Sequence, residues 1–159
     1  MMRWQWCSFS ELSAAEVYAV LAARSEVFVL EQNCVYRDMD GLDRQAQHLI
    51  AWDAAALAGY LRILTPGLKF RERSIGRVLT ALPYRRSGIG RELMARALQR
   101  LDAEHPGEPL RIGAQARLEA FYASFGFVRA SDVYLEDAIP HIEMFRAPAN
   151  PPGQSSRLV

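Results

Sequence analysis

The chain of 159 residues has only two cysteines, Cys7 and Cys34, and three histidines, none at a spacing that would clasp a metal. Two cysteines are too few for a disulfide framework, so the sequence reads as a cytoplasmic, metal-free protein. Long apolar runs are missing as well. No window approaches the roughly 20 residues that a membrane-crossing helix needs, and the start at Met1 lacks the apolar centre of a signal peptide. Nor is there an excess of charge. Nineteen basic side chains stand against eighteen acidic ones, a formal net charge of +1. No broad field therefore points to a nucleic acid or a membrane surface, and any anion site must be local. Lysine is nearly absent: Lys69 is the only one, and the other basic residues are arginines, whose forked donors suit phosphate. There are no internal repeats, and the low-complexity stretch from Pro148 to Val159 reads as a loose tail.

What is present is apolar material, 50% of the residues, enough for one core over residues 1–147. Arg3 to Phe9 reads as a strand. Ser10 or Ser13, with Glu16 behind, caps a helix running to about Glu31, and the polar stretch Asn33 to Gln45 is a loop. His48 to Trp52 and Leu57 to Leu64 form a hairpin, followed by a strand near Gly76 to Leu82. Ile89, Leu93, Ala97, Leu98 and Leu101 recur at helical spacing until His105-Pro106-Gly107. A short strand at Leu110 to Ala114, a helix at Arg117 to Phe125 and strands at Phe127 to Tyr134 and His141 to Phe145 complete the order βαβββαβαββ. Interleaved helices and strands imply an α/β fold, a mixed sheet covered by helices.

The segment Arg85-Arg86-Ser87-Gly88-Ile89-Gly90 lies between a strand and an amphipathic helix. A helix start offers backbone N–H groups without internal partners and the positive end of the helix dipole, and Gly88 and Gly90 remove side chains that would hold a phosphate away. Arg85, Arg86 and Arg91 can add contacts from the rim. A plain glycine-rich turn with solvated arginines is the alternative. It is not a Walker loop, which needs a lysine at the helix start, nor a dinucleotide fingerprint, which needs a third glycine and a later acid.

Here the chain resembles the GNAT acyltransferase superfamily, whose phosphate signature Gln/Arg-x-x-Gly-x-Gly/Ala is matched by Arg85, Gly88 and Gly90. Gln115 stands where the family often has Asn, and Phe121 to Phe127 resembles its Tyr-x-x-x-Gly-Phe element. Arg24 to Cys34, Gly113 to Ala116 and Ile139 to Ile142 are similar to the ElaA-like branch. The resemblance covers about Trp4 to Arg146. It implies a mostly antiparallel sheet of six to seven strands, flanked by helices, with a central V-shaped splay that takes the pantetheine arm of acetyl-CoA. Val78, Leu79 and Thr80 would line that arm with backbone donors, Arg85, Arg86, Ser87, Gly88, Ile89, Gly90 and Arg91 would hold the phosphates, and Gln115 would also belong to the cofactor site. Tyr122 would protonate the leaving thiolate, as a phenol can at neutral pH; an ordinary core tyrosine is the other reading.

The acceptor side is less defined. The expected acceptor is a small-molecule or peptide amine, with no nucleic acid or membrane partner and a homodimer left open. On a continuous α-helix Arg24 and Glu31 share the apolar stripe with Val20, Val27 and Phe28, where an unpartnered charge is costly. Arg24, Phe28, Glu31 and His141 are therefore candidate acceptor-binding residues. The structural alternative is that Arg24 and Glu31 both form ion pairs tethering the following loop, with Asp38, Asp40 or Asp43 as partners for the arginine. Glu31, His141 and Glu143 are candidate bases for the amine proton. The acidic run Asp38-x-Asp40-Gly41-x-Asp43 places its glycine too early for an EF-hand, and no histidine near Cys34 would make it a nucleophile. Arg24, Phe28, Asp40, Asp43 and Arg62 also resemble the N-terminal pattern of acyl-homoserine-lactone synthases, a second enzyme reading. A non-catalytic acyl-CoA sensor is a third.

Overall fold

The computed structural model describes residues 1–149; the expected tail from Pro148 falls almost wholly outside them. The first half runs β1 (Met2–Ser8), α1 (Ala14–Arg24), β2 (Gln47–Asp53), β3 (Ala56–Leu64) and β4 (Ser74–Thr80). Ser13 caps α1. Its Oγ accepts from Glu16 N at 3.1 Å, and the Glu16 carboxylate accepts from Ser13 N at 2.9 Å. Beyond Arg24 the chain winds on as a π-helix over Ser25–Glu31. The wider turn rotates later side chains away from their α-helical positions. Arg24 is fully buried while Glu31 is exposed, which corrects the expectation that the two share one buried stripe.

β1 to β4 form an antiparallel sheet in sequence order. Its central strands are apolar almost without interruption because both faces are covered. Leu49, Ala51, Leu61 and Ile63 pack in the cluster with α2 (Ile89–Glu104), whereas Ile50, Trp52 and Tyr60 pack with Val20 of α1. Gly59 allows α2 to come close: a Cβ there would stand 2.8 Å from Ile89 Cγ2 and 2.9 Å from Leu93 Cδ1. The start of α2 is thereby pinned to the sheet.

The second half carries β5 (Leu110–Gln115), α3 (Glu119–Ala123), β6 (Val128–Arg129), β7 (Tyr134–Glu136) and β8 (Ile139–Arg146). β8 is central, pairing antiparallel with β5, β6 and β7. The strand expected from Phe127 to Tyr134 is broken in two, which makes eight strands among the described residues rather than six or seven. At the break the Ser131 hydroxyl accepts from Glu143 N at 2.8 Å, so a side chain does what a ladder carbonyl would otherwise do. The third helix is also shorter than its sequence suggests, because Ala116–Leu118 is a 3-10 turn.

The two sheets touch through β4 and β5 at one end only. Arg73 bridges Leu110 in parallel fashion, and Arg111 N donates to Arg73 O at 3.0 Å. Beyond that point no bridge joins the described strands, and they part into a V. On the β4 side Arg62 pairs with Gly76 and Tyr60 with Leu79, so Arg77 and Val78 together face Leu61 as a bulge. Arg77 has φ +52°, a left-handed conformation rare for a side-chain-bearing residue within a strand.

Candidate active site between strands β4 and β5

Next to the open end of the V, β4 leads through Leu82–Tyr84 into the loop before α2. Gly88 is the N-cap, with φ +86°. The first helical bond runs from Glu92 N to Gly88 O at 3.0 Å, which leaves the N–H groups of Ile89, Gly90 and Arg91 without an intrahelical acceptor. A Cβ on Gly88 would meet nothing within 4 Å, so open space lies before these donors. The side chains divide unevenly. Arg86, Ser87 and Gly88 are exposed, Ile89 is core, and Arg91 stacks over Phe121 and Phe125 at 5.7 and 5.5 Å. Arg85 is engaged: Nε donates to Thr80 O at 3.2 Å, and Nη1 and Nη2 meet Glu31 Oε1 and Oε2 at 2.5 and 2.7 Å.

Along β4, Ala81 N donates to Ala58 O at 2.9 Å, toward β3. Alternation then turns Leu79 N toward β3 and the N–H groups of Val78 and Thr80 toward β5. Leu79 contributes its buried side chain instead, beside Val20 and Tyr60. Inside the V lies a cavity of about 390 Å³ whose lining includes Val78, Gln115, Tyr122 and His141. Tyr122 is 8% exposed and packs edge-on against Phe121 and Phe127. Its hydroxyl has no hydrogen-bond partner among the described residues, and burial pushes its pKa up to about 12 against a weaker opposing pull from Arg117. It is a proton donor at neutral pH. Gln115 donates through Nε2 to Gln32 Oε1 at 3.3 Å, tying the end of the π-helix to β5.

The loop side of the cavity is held by charge. Arg24 Nε meets Asp38 at 2.8 Å and its Nη1 meets Asp43 at 2.6 Å. Arg62 adds Asp43 at 2.9 Å and Asp40, and Arg77 lies 2.8 Å from Asp38. Three arginines thus face three aspartates, drawing the loop after the π-helix onto β3 and β4. Burial works against ionised Asp40 and Asp43, yet Arg62 and Arg24 respectively outweigh it and hold both carboxyls below their usual range. Behind them His48 accepts at Nδ1 from Tyr60 (2.7 Å) and donates from Nε2 to Asp43 O (2.9 Å), an assignment fixed because the carbonyl can only accept. Burial lowers the pKa of His48.

Several acceptor-side expectations need correction. Arg24 does not reach the cavity surface; buried and doubly paired, it is a tether. Glu31 is not a base in the cavity, since the π-helical turn delivers it to Arg85. Glu143 stays out of the cavity lining, on β8 beside the β6–β7 break. Phe28 and His141 do line it. His141 donates from Nδ1 to Ile139 O at 2.7 Å, which leaves Nε2 as the basic nitrogen, 3.4 Å from Glu136. Sequence reasoning missed Tyr36, Arg77 and Glu136 of the lining. Only Lys69, through its singularity, carried a signal in the sequence, and it too lines the cavity.

Comparison with known proteins agrees with this geometry. Residues 10–147 match the model of the acetyltransferase (GNAT) domain. The chain belongs to the GNAT family. Protein ElaA of Escherichia coli is 42% identical over 148 residues, 92% of this chain and 97% of that protein. A UPF0039 protein of Synechocystis is 42% identical over 151 residues, 94% and 98% of the two chains. Among solved structures, an acyl-CoA N-acyltransferase from Pseudomonas aeruginosa aligns with TM-score 0.87 at 43% identity, covering 92% of this chain and all of that one. The E. coli ElaA structure aligns with TM-score 0.86 at 41% identity, covering 92% and 99%. The GNAT family typically draws its acyl group from acyl-CoA. The residues present fit such a donor: the free N–H groups at the start of α2 and the open face of Gly88 suit a pyrophosphate, and the N–H groups of Val78 and Thr80 suit an extended amide-bearing arm.

Proposed function

We propose that the chain moves an acetyl group from acetyl-CoA to a primary amine by direct attack, with donor and acceptor held together in the V. The observation that carries this reading is the gathering of Val78 of β4, Tyr122 of α3 and His141 of β8 around one cavity, whose strand β4 leads to the free backbone donors at the start of α2. When bound, the donor supplies an acyl thioester. The chain's own part begins at the α2 start, which binds phosphate through backbone N–H groups. Val78 or Thr80 N–H, fixed by the strand, stabilises negative charge on the acyl oxygen, an effect worth about 3 kcal/mol for one well-placed donor. His141 Nε2, oriented by the Ile139 carbonyl, takes the proton of the amine. Tyr122 gives its proton to the leaving sulfur.

The homoserine-lactone-synthase reading gains nothing from Arg24, Asp40, Asp43 and Arg62, because the buried ion network already accounts for all four. A pure sensor would need neither a proton donor nor an oriented imidazole facing the cavity. Release of free thiol from acetyl-CoA across a panel of amines tests the proposal. Turnover with at least one primary amine is expected; binding of coenzyme A without turnover for every amine would favour the sensor.

A further inference from the structure

Lys69 is the only lysine of the chain, and it stands in the same cavity as Tyr122, Val78 and Gln115. Its Nζ makes no hydrogen bond among the described residues, and its one ion-pair contact, Glu136 Oε1, is at 4.0 Å, the outer limit of such a pair. The amine rests over Gly113 of β5, the strand that flanks the V. A Cβ there would be 3.2 Å from Tyr134 Oη, so glycine is what lets the tyrosine approach the strand, and 3.8 Å from Lys69 Nζ, an ordinary contact distance. Burial favours the neutral amine; Glu136 opposes that, while Arg77 and Arg62 reinforce it. Glu136 in turn lies 3.4 Å from His141 Nε2. An amine in the cavity, beside a carboxylate and an imidazole able to take its proton, has the features required of an acceptor.

We propose that Lys69 is itself an acyl acceptor, acetylated at Nζ by the acetyl-CoA bound in its own chain. The inference rests on the reading of the V as an acyl-donor site. The Nζ lone pair attacks the thioester carbonyl carbon; a C–N bond forms and the C–S bond breaks. One amine proton passes to Glu136 or His141 Nε2, and the departing thiolate takes a proton from Tyr122. The products are N-acetyl-Lys69 and free coenzyme A. Every other basic side chain of the Lys/Arg type is a guanidinium, which stays protonated and is no nucleophile, so an N-acetylated amine side chain has one address. The acetylated side chain is bulkier and uncharged. It occupies the space over Gly113.

The test incubates the full chain with acetyl-CoA and no added amine, and follows intact mass and peptide mass by mass spectrometry. Calorimetry with coenzyme A runs in parallel. The expected result is one acetyl group per chain, mapped to Lys69, absent in Lys69→Arg and slowed at least tenfold by excess free coenzyme A. Coenzyme A binding without modification would overturn the inference and leave the donor reading standing. Acetylation that excess coenzyme A does not slow, or that maps to the Met1 amine alone, would overturn it as well. Failure of coenzyme A to bind would sink both.

Discussion

Two sides of the site are built by different physics. The β4–α2 wall is local: a strand, a turn and a helix start follow one another in the chain, and backbone N–H groups plus close-packed apolar side chains define the site. The loop side is assembled from afar. Arg24 reaches Asp38 and Asp43, Arg62 reaches Asp40, and Lys69 faces Glu136, each pair made by side chains from separate elements. A backbone site can serve any donor that carries the same phosphates and arm. A wall of side chains and ion pairs can change with each acceptor while the fold stays put.

The largest effect is expected on the ion-paired wall. Arg24→Ala removes one of the two arginine partners of both Asp38 and Asp43 and should cost about 3 kcal/mol in urea unfolding. If the walls are independent, the folded fraction of that variant still binds coenzyme A; loss of binding by the folded fraction itself would show that they are one unit. Gly88→Trp attacks the other wall. It fills the open space before the α2 donors and removes at least two charge-assisted hydrogen bonds, so calorimetry should read coenzyme A affinity lower by roughly 100-fold or more. Because Gly88 has φ +86°, the substitution should also cost about 1–2 kcal/mol of stability.

Tyr122→Phe sharpens the comparison from inside the V. Turnover should fall by roughly 100-fold while coenzyme A affinity stays within about twofold. A parallel fall in both would make Tyr122 a packing residue of the donor wall.

The smallest effect is in pH dependence. Burial lowers the pKa of folded His48 below its unfolded value of about 6.5. Its contribution to stability is therefore present above that pH and is lost as pH falls through the lowered folded value. Asp40 and Asp43 are also lowered, so their contribution is present above about pH 3.9 and lost below it. Urea midpoints measured against pH should fall in two stages, and His48→Gln should remove the first stage alone.

This division also explains what could be read from the chain. Ser13 with Glu16, the repeat from Ile89 to Leu101 and the glycines of the α2 loop are local signals, and each forms what its spacing predicts. The order of strands and helices follows from them. Glu31 was misplaced because nothing in Ser25–Glu31 announces a π-helix; tertiary packing selects it. The break between β6 and β7 depends on Ser131 meeting Glu143, a contact invisible to periodicity. Arg77 in a left-handed bulge carries no sequence signal either, since most such positions hold glycine.

The account rests on a phosphate-bearing donor lying against the start of α2. Hydrogen exchange of the backbone amides with and without coenzyme A measures this most directly. Saturating coenzyme A should slow exchange of the N–H groups of Ile89, Gly90 and Arg91 more than that of any amide in β1. Unchanged exchange at these three residues under saturation would contradict the account.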